Sequence, residues 1–247
     1  MNLSFLVIAV LMISLLPAGF TAEKDTSVQS IFTFIYNQQF IEAEKALEQK
    51  NACVDPFYHN ILKLDLFWWK YSLSKSKQDA KVLNQILDEF DNSIQTTREA
   101  KINNLISLSY EMRYEIKRYN FVGALVIRSE VHKQIELIKK DDLSFLGDKR
   151  HLFDFYLTLF DYFDENMNPF SFGSKSEKYL QSLATLEKYS RDNDLILSTM
   201  AHYFLGRIYT KVEKQPEKGQ VHFKVLSQRF PKNSLFKELA SGLNTNF

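Results

Sequence analysis

The stretch Ala201–Tyr209, "AHYFLGRIY", decides how the rest of the chain is read. Its apolar residues recur at helical spacing and continue through Val212, yet Gly206 stands in the middle. Glycine inside a helix costs roughly 0.5–1 kcal/mol relative to alanine. A helix that keeps it gains something from the missing side chain. The expected gain is a second helix crossing closely at 206. A side chain there would push the two helices apart, and buried area lost at about 25 cal/mol per Å² outweighs the glycine penalty.

The second helix follows the turn "KQPEKG" and runs over about 217–229, with Gly219 and Phe223 four apart and Pro231 just beyond its end. Leu205, Gly206, Tyr209, Gly219, Phe223 and Pro231 together resemble the tetratricopeptide pattern. That pattern has Leu-Gly and an aromatic in the first helix, then a small residue, an aromatic and a trailing Pro in the second. The turn is one residue longer than the consensus, and Gly219 stands where Ala is usual. "FIYNQQFIEAEKAL" matches again through Phe34, Phe40, Ala43 and Leu47, with Pro56 after it, and "RYNFVGAL" matches more weakly through Phe121 and Ala124. More loosely, Tyr36-Asn37, Phe40, Ala43-Glu44 and the later pair Trp68-Trp69 are similar to the first repeat of exported bacterial proteins of this class. The resemblance implies a binding scaffold and no catalytic residue.

Working outward, helix-period apolar segments fill the chain, with no sustained alternation of period two. Helices are predicted over about 26–38, 40–50, 56–74, 77–95, 98–119, 121–140, 150–165, 176–190, 194–212, 217–229 and 232–242. Asp55 reads as an N-cap with Pro56 at the first helical position, and Ser174 or Ser176 as a later cap. The fold class is all-α: eleven helices, as antiparallel hairpins stacked into a tetratricopeptide-like, right-handed solenoid. One hairpin cannot bury both its faces alone, so neighbours must cover them.

The first charged residue is Glu23. The apolar run Leu3–Leu16, followed by Pro17 and small residues, has the layout of a secretory signal peptide, with cleavage after Thr21 or Ala22; an uncleaved anchor is the alternative. The reading is a signal peptide at 1–22 and a repeat domain at 23–247, exported to the periplasm or cell envelope, with no integral span once the signal is removed. Net charge is +1, and basic residues are scattered, which argues against nucleic acid as a partner. Cys53 is the single cysteine, so there is no internal disulfide framework and no multi-cysteine metal site; the thiol reads as a small buried hydrophobe. Aromatics make up 14% of the chain, with 21 Phe and 12 Tyr to fill a core.

No hydrolase, zincin, Walker or dinucleotide motif is present, and the five histidines fall on different helices without ligand spacing. The reading is therefore not an enzyme, with no catalytic residue, metal or cofactor. Two features carry partner readings. On the helix at 150–165, His151, Asp154, Thr158, Asp161 and Glu165 span only about 80° of the surface. They form a polar strip that could be solvated or line a concave groove facing a basic peptide. Asn104, Ser107, Glu111 and Arg118 could lie beside it. In "DLFWWKY", Trp68 and Trp69 point about 100° apart, so both are buried only if the helix is covered on two sides; exposed, they would stack on a sugar or small ligand. The leading function is a scaffold for another protein or peptide segment, and the alternative is a ligand- or glycan-binding protein using the Trp68–Trp69 region.

Overall fold

A computed structural model describes residues 19–49, 54–91, 97–166 and 176–242, with side chains described from Ser27 onward. Residues 1–18, most of the stretch read as a signal peptide, and Cys53 lie outside the described residues. Eleven α-helices, and no strand, occur among the described residues. They are α1 Gly19–Tyr36, α2 Phe40–Gln49, α3 Pro56–Ser74, α4 Lys77–Asp91, α5 Arg98–Lys117, α6 Phe121–Ile138, α7 Arg150–Asn166, α8 Glu177–Tyr189, α9 Leu195–Arg207, α10 Pro216–Arg229 and α11 Ser234–Ser241.

The starts are set locally. Asp55 accepts the Phe57 N–H at 2.9 Å and Pro56 sits at N1, as the sequence predicts. Thr97, Asn120, Ser176, Asp194 and Asn233 each accept a backbone N–H of the helix they open. Of the two serines proposed for α8, the cap is Ser176. Between α6 and α7 a short 3-10 helix, Ser144–Lys149, fills the break around Gly147, whose φ of +52° suits glycine.

Gly206 is the close crossing that the sequence called for. A Cβ placed on it would lie 2.6 Å from Cζ of Phe223, a ring only 1% exposed that has nowhere to go. Across the same contact, a Cβ on Gly219 would meet the Gly206 carbonyl oxygen at 2.8 Å, a backbone atom that only a helix shift could move. The two glycines thus share one crossing of α9 and α10. The extra residue in the turn is absorbed as a π-helical turn at Ile208–Val212, where the Glu213 N–H reaches back five residues to the Ile208 carbonyl.

Hairpins stack in chain order. The first helices pack α1 on α3, α3 on α5, α5 on α7 and α7 on α9. Of these, α3 and α5 run parallel, since the pairs Asp65–Tyr110, Trp68–Arg113 and Tyr71–Tyr114 advance together along them. The coil then comes back on itself, and α9 also touches α1. The turn after α10 rests on the turn after α1: Gln38 donates to Asn233 at 2.9 Å, the Lys232 N–H to Asn37 at 3.1 Å, and the Asn233 side chain to the Tyr36 carbonyl at 2.8 Å. The inner face of the coil is filled by the chain's own aromatic side chains.

Gly206→Leu tests the crossing. Overpacking against Phe223 is expected to cost about 1–3 kcal/mol or more. A melting temperature equal to that of the parent protein would show that the two helices do not depend on this contact.

Candidate functional site

Four inner helices meet around one carboxylate. Asp65 on α3 is 1% exposed. It accepts the Tyr110 hydroxyl at 2.9 Å from α5 and the Tyr36 hydroxyl at 3.3 Å from α1, and Tyr110 in turn meets the Tyr156 hydroxyl of α7 at 3.2 Å. Burial pushes the Asp65 carboxyl up to about 6, against the lowering pull of the Arg113 charge and the two tyrosine donors. Burial, with the Asp65 charge next, also drives the Tyr36 and Tyr110 phenols well above their ordinary value. The cluster is enclosed, and nothing about it resembles an acid–base pair open to a substrate. Sequence patterning does not find it, because Asp65 sits in an otherwise apolar run and its partners lie 29 and 45 residues away.

Trp68 and Trp69 are both buried. Trp69 packs edge-on against Tyr36, Tyr203 and Phe236, at 5.6, 5.3 and 5.8 Å between ring centres. Trp68 lies under the Arg113 guanidinium, 4.4 Å from its ring centre, and the same guanidinium covers Tyr110 and Phe204. The helix is covered on two sides, and neither indole offers a face for a sugar to stack on.

The polar strip on α7 meets its hairpin partner α8 rather than an open groove. Asp154 pairs with Arg150 at 2.7 Å, Asp161 with Lys178 of α8 at 2.7 Å, and Glu165 accepts the Ser176 hydroxyl at 2.6 Å. Thr158 donates to the Asp154 carbonyl, and His151 is exposed at the start of the helix. The 3.6-residue period placed the strip on one face of α7 correctly. Which neighbour covers that face depends on the stacking. Asn104 and Ser107 are buried, and Arg118 pairs with Glu115.

Two histidines that look unrelated in sequence face each other across the α9–α10 hairpin, with His202 and His222 Nδ1 atoms 2.9 Å apart. Burial, the neighbouring His222 and then Arg229 push His202 down to about 4, and burial lowers His222. The ring of Tyr209 stacks on His222, and its hydroxyl donates to Glu187. Among the described residues no group of three or more His, Cys, Asp or Glu is placed to hold a metal ion. A pocket of about 80 Å³ between α5, α6, α7 and α8 holds the Arg128–Asp164 ion pair and the contact of His132 with the same carboxylate. Ligand pockets are typically about 300–1,000 Å³.

The surface feature that the sequence reading passed over lies where α5 turns into α6. Tyr119, Phe121, Val122, Leu125 and Val126 are all exposed, Tyr119 by 82% and Val122 by 74%. The turn beneath them is held firmly. Asn120 caps α6 through the Gly123 N–H and also donates to Glu115, which pairs with Arg118. The signal was present in the weakest repeat match: Phe121, aligned with an aromatic that should be core, is exposed, while Ala124 beside it is buried. Next to this turn an open depression of about 540 Å³ between α4 and α5 is lined by Lys75, Lys77, Lys81 and Arg118, with Tyr71 and Tyr114 at its base.

No protein-family model matches the chain, and neither the curated proteins nor the solved structures contain a significant match to it.

The Asp65 cluster carries a pH signature. Its folded pKa is raised, so its contribution to stability is present below the unfolded value of 3.8 and is lost as pH rises through about 6. Asp65→Asn removes that titration. The melting-temperature difference between variant and parent should therefore shift in the variant's favour on going from pH 4 to pH 7. Thermal melts at the two pH values read it directly, and an identical difference at both would show that Asp65 does not titrate in this range. Asp65→Ala, which leaves two tyrosine hydroxyls without their acceptor and Arg113 without a nearby counter-charge, is expected to lose about 3–5 kcal/mol at pH 7.

Proposed function

We propose that the chain is an exported helical-repeat scaffold of the cell envelope that acts by docking, with no catalytic step of its own. The uncharged apolar leader supports export. The resemblance to tetratricopeptide repeats supports a binding role. The docking surface is the end of the α5–α6 hairpin, in place of the concave groove that the repeat pattern alone would favour.

One observation carries this reading. Five large apolar side chains, Tyr119, Phe121, Val122, Leu125 and Val126, stand exposed within eight residues of a well-capped turn. Contiguous exposed apolar surface of this kind, where the other described aromatics are buried or partly buried, marks an interaction site. The inner face, by contrast, is occupied by Arg113 packing on Trp68 and Phe204, and by Trp69 packing on Tyr36, Tyr203 and Phe236.

A photo-crosslinking amino acid at Val122 tests the reading in the native envelope, with Ile41, an exposed apolar residue on α2, as the control position. Adducts are expected from 122 and not from 41. Equal yields at the two positions would remove the α6 end as a docking surface.

A further inference from the structure

We infer that the occupant of the α5–α6 end is the surface of an anionic phospholipid bilayer, a proposal that rests on reading that end as a docking surface. The apolar side chains sit on a hairpin turn and the first turns of a helix, so they project outward instead of lining a recess. An aliphatic–aromatic projection of this kind enters the headgroup and upper acyl region of a bilayer readily. Tyr119, the most exposed of the set, combines an apolar ring with a polar hydroxyl, the pairing favoured at a membrane interface.

Charge complementarity points to anionic lipid. The depression beside the turn is bordered by Lys75, Lys77, Lys81 and Arg118, all exposed, against the single carboxylate of Asp88. Of the acids nearby, Asp79 is held ionised by the Ser74 and Ser76 hydroxyls and Glu115 pairs with Arg118, which leaves Lys75, Lys77 and Lys81 against Asp79 and Asp88, a small positive excess. The field is reinforced from the neighbouring helix ends. Burial, followed by the nearby charges of Lys75, Arg207 and Arg113, lowers Lys117 to about 8, which marks several cations close together at this end. Lys and Arg stems can lie along the apolar surface while their heads reach the phosphate level. The arrangement is an insertion tip with a basic collar. No described helix is long and apolar enough to cross a membrane, so the contact is peripheral.

The full chain carrying the crosslinker at Val122 is mixed with vesicles of phosphatidylcholine alone, or of an equal mixture with phosphatidylglycerol. A phospholipid adduct at 122 is expected with the mixed vesicles, and about tenfold less with the neutral ones or with Lys75→Gln/Lys77→Gln/Lys81→Gln. The readout is local to the tip, so lipid binding by the leader does not produce it. In parallel, Val122→Ser/Leu125→Ser is sedimented with mixed vesicles and sized in solution, with circular dichroism confirming its helical content. No lipid adduct at 122, or an adduct indifferent to lipid charge and to the three lysines, would overturn the lipid assignment. So would dissociation of a dimer by the double substitution, which would make the face a contact between copies. If the envelope experiment returns a protein adduct at 122 while the vesicles return none, the docking surface stands and the bilayer falls. If neither returns an adduct, both readings fall.

Discussion

Trp69 stands where the beginning and end of the chain meet. Its indole packs against Tyr36 of α1, Tyr203 of α9 and Phe236 of α11, all within 6 Å between ring centres. Hairpins that merely stacked in chain order would leave the inner faces of the first and last pairs to solvent. Bringing α9 and α11 back onto α1 and α3 buries them, and large aromatic rings contribute most of the area in such a contact. The hydrogen bonds between the turns at 36–38 and 232–234 then hold the return in register. Asn233 is central to them, bonding at once to Gln38, to the Tyr36 carbonyl and to the first turn of α11.

Closure of the coil explains the polar groups at its centre. A carboxylate nearly free of solvent is costly unless it is surrounded by donors and a counter-charge. Asp65 has two tyrosine hydroxyls and the nearby Arg113 charge, Tyr36 from α1 and Tyr110 and Arg113 from α5. Arg113 itself is held by ring faces from α3, α5 and α9. These directional contacts fix how the helices are rotated about their own axes, which apolar packing alone constrains weakly. The same packing consumes the surface that an open solenoid would present to a partner, and leaves the exposed apolar side chains at the start of α6.

Most of the fold was legible from the chain. The helix starts at Asp55-Pro56 and Ser176 follow from the sequence, because capping is a local matter of one side chain and the next few N–H groups. The α9–α10 crossing follows from Gly206, Gly219 and Phe223, because only glycine admits a ring that close. Even the longer turn after Tyr209 was visible as an extra residue, although its conformation, a π-helical turn, was not. The candidate site was less legible. The polar strip on α7 is a real face of that helix, but its period says nothing about whether α8 or solvent lies against it. The exposure of Phe121 went unseen because a helical repeat pattern treats every aromatic at that position as core.

By itself, then, the sequence determined the all-helical class, the eleven segments, their hairpin pairing and the close α9–α10 crossing. Each of these is written in spacing, caps and glycines within some thirty residues. Only the tertiary structure decided that the coil returns on itself, that Trp68 and Trp69 are interior, that Asp65 is shared by three helices, and that α6 is left with an exposed apolar end. Those outcomes depend on contacts such as Trp69–Tyr203 and Gln38–Asn233, between residues more than a hundred positions apart. They are set by how small rotations add up from one hairpin to the next, and no local pattern encodes that sum.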